Sequence, residues 1–265
     1  MDWDVVLVLL AVAAMAGWID AVVGGGGLLQ LPALLIGASH LPVASVLGTN
    51  KLAATFGTFA AALAYGRKHP MSRKVVAVGG SAAVAGSAGG ALVASAVSSD
   101  FLRPVILVLL VGVAGFVLLR PSFGAGQPGA SAEGPDASRQ APERRRAALL
   151  VLLAGGGIGF YDGLVGPGTG TFLIVTFTTV LSLEFIRALS TVKMINVGTN
   201  LGALLVFASQ GHVLWLLGLG MSAFNVAGAL VGARMTLARG SGFVRVVLLV
   251  VVAVMILRLG YDQFS

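Results

Sequence analysis

Two glycine-rich interruptions, 142 positions apart, constrain this chain more than any other feature. The first reads Asp20-Ala21-Val22-Val23-Gly24-Gly25-Gly26-Gly27-Leu28-Leu29-Gln30-Leu31-Pro32. The second reads Asp162-Gly163-Leu164-Val165-Gly166-Pro167-Gly168-Thr169-Gly170. Each breaks a long apolar run. Hydrocarbon offers no partner to the amides of such a break, so it is tolerated only where it is buried in protein or lines a wet cavity. The two breaks are therefore the first place to look for a binding site.

Composition settles that the apolar runs belong in a bilayer. Of the 265 residues, 57% are hydrophobic and 10% charged, with a mean hydropathy of +0.97, whereas a soluble domain carries about 25% charged residues. No cysteine is present, which excludes disulfides, thiol catalysis and thiolate metal sites. The net charge of +7 is no nucleic-acid signal, because the basic residues cluster at loops between apolar runs and there report topology. The first apolar stretch begins at Val5 behind Met1-Asp2-Trp3-Asp4. It lacks a basic leading region, which argues against a cleaved signal peptide.

Apolar segments run over 4–23, 28–38, 43–66, 74–97 and 100–119, and again over 147–165, 168–183, 186–208, 213–237 and 243–260. A spanning helix needs about 20 residues. The segments 28–38 and 168–183 are shorter and follow the breaks directly, which predicts half-helices or re-entrant segments. Between the sets lies 120–146, rich in Pro, Gly, Ser, Ala and Arg, read as a disordered cytoplasmic linker. The expected domains are 1–119, a first transmembrane repeat, and 147–265, a second.

The two sets are copies. At the offset of 142, Gly17 pairs with Gly159, Gly24 with Gly166, Gly26 with Gly168, Thr49 with Thr191 and Lys51 with Lys193. Farther on, Gly86 pairs with Gly228, Gly90 with Gly232 and Arg103 with Arg245. Chance apolar similarity does not place Asp, Lys and Arg in common register. Arg67, Lys68, Arg73 and Lys74 mark one loop as cytoplasmic, while the equivalent loop around 209–213 has no Lys or Arg, so equivalent loops face opposite sides. The expected fold is an all-α polytopic membrane protein of two inverted repeats, five segments each, in the plasma (inner) membrane. Gly86 and Gly90, and Gly228 and Gly232, have the GxxxG spacing that lets helix backbones approach in lipid.

Charge inside these segments carries the chemistry. Lys51 lies nine residues past Pro42, roughly 13 Å along a helix at 1.5 Å per residue, near the middle of a ~30 Å core. Lys193 sits at the same depth in the second copy. From there a lysine reaches the interface poorly, so each should face a polar cavity or a carboxylate. Lys193, Asn196 and Asn200 share one helix face, as do Lys51, Thr55 and Thr58. Thr49, Asn50 and Thr191 flank the lysines. Amides at the breaks, including Gly24, Gly25, Gly26, Gly27, Gly166, Gly168 and Gly170, add partial positive charge at half-helix N-termini. Thr169 and Thr171 add hydroxyls, and Gln30 can bond a ligand or an unsatisfied carbonyl. Together these form an oxyanion site. The purely structural alternative pairs Asp20 with Lys51 and Asp162 with Lys193 as ion pairs that set helix register. A mixed reading lets each Asp neutralise a Lys until an anion or proton changes the pairing.

Other groups carry less. His40, His69 and His212 lie at or near loops, and without clustered ligands no metal site or cofactor is expected. Glu184 and Arg187 read as a solvated pair at a helix start. Trp3, Trp215 and Tyr261 lie near segment ends, as interface anchors do. No nucleophile–base pair suggests an enzyme. The glycine run matches neither a P-loop nor a dinucleotide fingerprint.

At these residues the chain resembles the sulfite exporter TauE/SafE family of membrane permeases. The resemblance rests on Gly24 to Gly27 with Leu31-Pro32, on Leu47-Gly48-Thr49-Asn50-Lys51-Leu52 and on Tyr65-Gly66. In the second half it rests on Gly159-Phe160-Tyr161-Asp162-Gly163, Gly166-Pro167-Gly168-Thr169-Gly170, Lys193-Met194-Ile195-Asn196, Asn200-Leu201 and Gly232-Ala233-Arg234. It implies a secondary transporter that exports sulfur-containing oxyanions such as sulfite or organosulfonates, coupled to protons. Alternating access would rock one copy against the other. An anion channel or facilitator, and a cation permease whose ligands are Asp20 and Asp162, stay open as alternatives. The expected partners are a small anion and the lipid bilayer, without nucleic acid, and homo-oligomerisation stays open.

Overall fold

The computed structural model describes residues 2–118, 141–181 and 185–264, which form nine helical elements. These are α1 (Trp3–Val23), α2 (Gly27–Gly37), α3 (Val43–Gly66), α4 (Arg73–Ala96) and α5 (Ser99–Leu118), followed by α6 (Ala141–Leu164), α7 (Thr169–Leu181), α8 (Phe185–Ser209) and α9 (Trp215–Phe264). Among the described residues, five helices are long and apolar enough to cross a membrane. The chain is an all-α polytopic membrane protein.

Local chemistry explains the element boundaries. α1 stops where Gly24 turns left-handed, φ 83°, and donates its N–H to Asp20 O at 2.9 Å. That conformation costs an L side chain energy that glycine avoids. α3 starts directly behind Pro42, whose missing N–H matters least at a helix start. The half-helices expected after the breaks are α2, 11 residues, and α7, 13 residues. One boundary differs from expectation. α6 begins at Ala141, so 141–146 is helix and not linker, while 120–140 lies outside the described residues. The expected segments 213–237 and 243–260 are two helices within α9, separated where Gly240 leaves helical geometry (φ 72°, ψ −167°).

The two copies pack reciprocally. A Cβ on Gly86 would strike the backbone of Gly156, and one on Gly90 that of Phe160, so α4 lies directly on α6. The duplicated contacts are present as well: Gly228 meets Ala14, Gly232 meets Trp18, and α9 lies on α1. The GxxxG pairs therefore pack between copies, where small residues allow closely spaced backbones. Contacts advance in step along α1 and α9, along α3 and α9, and along α4 with both α6 and α8. These pairs are parallel. Because the short loop 67–72 joins α3 to α4, α1, α3 and α9 start at one end of the bundle and α4, α6 and α8 at the other. The polar helices are central: 61% of the apolar window of α8 is buried, against 28–39% for α1, α4, α6 and α9.

Candidate functional site

The charges expected at mid-membrane meet in the middle of the bundle, with exchanged partners. Lys51 on α3 pairs with Asp162 on α6, Nζ to Oδ2 2.7 Å. Lys193 on α8 pairs with Asp20 on α1 at 2.9 Å and also donates to the Asp20 carbonyl. This corrects the expected pairings of Asp20 with Lys51 and Asp162 with Lys193. Each lysine reaches the acid of the other copy because α1 and α6 lie across the interface between copies. Hydroxyls complete the pairs: Thr169 donates to Asp162 Oδ1 at 2.6 Å and Thr58 to Asp20 Oδ2 at 3.2 Å. The two pairs differ in access, since the Asp162 side chain is 3% exposed and that of Asp20 16%.

The two breaks touch each other beside these charges. A Cβ on Gly24 would lie 2.6 Å from Gly170 C and 2.7 Å from Thr171 N, and one on Gly170 would lie 2.6 Å from Gly24 O. Thr171 Oγ1 donates to Val23 O at 3.0 Å, tying α7 to the end of α1. Gly166 (φ 94°) brings its backbone so close to the ion pair that a Cβ would stand 2.9 Å from Lys51 Nζ. Tyr161 supports the second break by donating to Pro167 O at 2.7 Å. The N-terminal turns of α2 and α7 thereby converge on one point, with the partial positive charge of two helix starts.

A cavity of about 30 Å³ lies at that point, in the measure for which a single water needs roughly 10–15 Å³. Among the expected site residues, Asp20, Gly24, Gly26, Gly27, Gln30 and Asn50 line it from the first copy together with Lys51. Asp162, Gly166, Gly168, Thr169, Gly170, Asn196 and Asn200 line it from the second. Gly25 is not among the lining residues, and neither is Lys193, which reaches the site only through Asp20. Among the described residues no group of three or more His, Cys, Asp or Glu could hold a metal ion.

Thr49 and Thr191 have a different position from the one expected. Thr49 Oγ1 donates to Ser45 O at 2.7 Å and accepts Leu214 N–H at 3.0 Å, at the start of α9. Thr191 Oγ1 accepts Ser72 N–H at 3.4 Å, at the start of α4. Both are helix-start clasps between the copies, and neither lines the cavity. Thr55 is likewise taken, donating to Lys51 O at 2.7 Å. Asn225 on α9 is the residue that sequence reasoning missed: it lines the cavity, is buried, and donates from Nδ2 to Gln30 Oε1 at 2.8 Å. Its counterpart at the repeat offset is Ala83, so the duplication gave no hint. An asparagine inside an apolar spanning segment was the available signal. Trp3 and Trp215 are exposed at helix starts, whereas Glu184 and the side chains of Arg187 and Tyr261 lie outside the described residues.

Two discontinuous helices meeting at a buried, charged cavity inside a bundle of membrane-length helices define a class, the polytopic membrane transporters. Within that class the chain belongs to the sulfite exporter TauE/SafE family, whose model matches residues 9–259. It is 35% identical over 257 residues to the probable membrane transporter protein YfcA of Escherichia coli strain K12, covering 97% of this chain and 90% of that one. It is 36% identical over 254 residues to the probable membrane transporter protein ORF9 of a Sinorhizobium species, covering 96% and 92%. A probable membrane transporter protein of Haemophilus influenzae is 31% identical over 260 residues, covering 98% and 96%. No solved structure matches.

Proposed function

We propose that the protein is a secondary active transporter that exports a small sulfur-containing oxyanion by alternating access, coupled to protons. The observation that carries this reading is the convergence of two half-helix N-termini on a cavity whose only nearby cations, Lys51 and Lys193 among the described residues, are held by the acids of the opposite copies. Helix N-termini favour anions. The family description supplies the sulfur chemistry. A cation permease is less well supported, because Asp20 and Asp162 are both already engaged by ammonium groups.

The opposite starting ends of α1 and α6, and of α3 and α8, support an inverted repeat. Arg67, Lys68, Arg73, Lys74, Arg145 and Arg146 gather at the end where α4 and α6 start, which marks that end as cytoplasmic. The cavity holds little more than a water or two, so an oxyanion enters only when the copies move apart. An arriving anion competes with Asp20 for Lys193 and with Asp162 for Lys51. A proton taken by the displaced carboxylate then compensates the charge, coupling the two movements.

The test is flux in proteoliposomes with the purified protein. Sulfite, thiosulfate, taurine and sulfoacetate are each loaded with and without an imposed pH gradient. Accumulation against the substrate gradient, driven by pH and lost in Lys51→Ala and Lys193→Ala, is the expected result. Passive, gradient-following flux would make the protein a facilitator. Flux unaffected by both substitutions would remove the lysines from the site.

A further inference from the structure

The repeat offset divides the cavity lining into two sets. The acids, the paired glycines Gly24/Gly166 and Gly26/Gly168, and Lys51, whose counterpart Lys193 stands behind Asp20, occur in both copies and form a shared frame. Gln30, Asn50, Asn196 and Asn225 have no polar counterpart; they stand opposite Phe172, Val192, Ala54 and Ala83. A frame needed only to hold the copies together would not require these four amides. They are where the site departs from its own symmetry, and a ligand is asymmetric too.

Two of the four hold groups with no protein partner. Asn225 Nδ2 occupies Gln30 Oε1 at 2.8 Å, which fixes the Gln30 amide and leaves its Nε2 unpartnered with the residue 2% exposed. Asn50 Oδ1 is also unpartnered, with the residue 6% exposed. Elsewhere in the lining, Asn196 Oδ1 accepts from Thr199 at 3.0 Å, and Asn200 Nδ2 donates to Asn196 O at 2.9 Å. Thr58 and Thr169 are committed to the acids. Gln30 and Asn50, which carry this buried donor and this buried acceptor, both line the cavity, and leaving either group unpaired is costly.

Resting on the anion reading above, we infer that this site selects a monoanion that carries its own O–H or N–H: a protonated oxyanion, or a sulfonate bearing a donor group. An anion oxygen accepts from Gln30 Nε2, and the ligand's own hydrogen is donated to Asn50 Oδ1. A bare oxyanion satisfies Gln30 but leaves the buried Asn50 oxygen without a donor. Charge points the same way. Lys51 from α3 and Lys193 from α8 balance Asp162 from α6 and Asp20 from α1, so a monoanion leaves less uncompensated charge in the membrane than a dianion. Asn225 is a positioning residue that holds the Gln30 amide in its donating orientation.

Sulfamate and methanesulfonate test this directly, because they share charge and shape while only sulfamate offers N–H. Titration calorimetry with the full-length protein in nanodiscs should show sulfamate binding about tenfold or more tighter. Asn50→Leu should abolish that preference by weakening sulfamate alone, while Gln30→Leu and Asn225→Ala should weaken both anions together. Equal affinity of the wild-type protein for the two anions, which needs no variant to fold, would overturn the donor requirement and leave the anion site standing. A preference that survives Asn50→Leu would also overturn it. Failure of the wild-type protein to bind either anion, or sulfite, would overturn the anion reading itself.

Discussion

Lys51 Nζ lies 2.7 Å from Asp162 Oδ2, and the two side chains are 2% and 3% exposed. So deep a pair is costly to desolvate and costlier still to break, because removing one partner leaves a buried charge alone. Lys51→Ala and Asp162→Asn are each expected to lower stability by about 3–5 kcal/mol. Thermal unfolding in detergent measures this, and the double variant Lys51→Met/Asp162→Leu should recover much of the loss. A double-mutant cycle should assign Lys51 a coupling of about 0.5–3 kcal/mol with Asp162, larger than its coupling with Asp20. The opposite ranking would contradict the crossed pairing.

Asp20 and Asp162 should differ in what their loss does. Asp20 lines the cavity with a side chain 16% exposed, while Asp162 is 3% exposed and receives the Thr169 hydroxyl. Asp20→Asn is expected to remove the pH-gradient dependence of flux. Asp162→Asn is expected to act first on folded yield. Flux that still follows the pH gradient in Asp20→Asn would exclude that carboxylate as the proton carrier.

The crossing of the breaks sets a steric test. Gly24→Ala forces a side chain onto φ 83° and within 2.6 Å of Gly170 C, and Gly170→Ala collides with Gly24 O at 2.6 Å. Each should cost more than about 1 kcal/mol. Gly25→Ala is the control, since its Cβ would meet nothing closer than Leu28 Cδ1 at 3.4 Å. Equal loss of melting temperature at all three positions would refute the contact between breaks.

Thr49 and Thr191 should behave as clasps and not as ligand groups. Thr49→Val removes the acceptor for Leu214 N–H, and Thr191→Val the acceptor for Ser72 N–H. Each is expected to cost about 1 kcal/mol of stability while anion affinity, read by calorimetry, stays within error of the unsubstituted protein. A selective loss of affinity would return them to the site.

Much of this architecture was legible from residues in order. Hydropathy and segment length located the helices, and the glycines and Pro42 marked their ends, because these are local properties of the backbone. The GxxxG pairs at Gly86 and Gly90 and at Gly228 and Gly232 were readable as close-packing positions, although not which helix each would meet. Gln30, Lys51, Asn196 and Asn200 stood out because a polar side chain in lipid needs a partner. Asn225 did not, since its repeat counterpart is an alanine.

By itself, then, the sequence determined the membrane class, the two breaks and the set of buried charges, all of which follow from the solvent the chain must satisfy. Partnership was decided only in the tertiary structure. Two acids and two lysines in duplicated surroundings allow either pairing with the same chemistry, so no local rule distinguishes Lys51–Asp20 from Lys51–Asp162. Packing of α1 on α9 and of α4 on α6 resolves that degeneracy. It carries each acid to the lysine of the other copy, seats Thr49 and Thr191 against the starts of α9 and α4 as buried clasps, and brings Asn225 to Gln30.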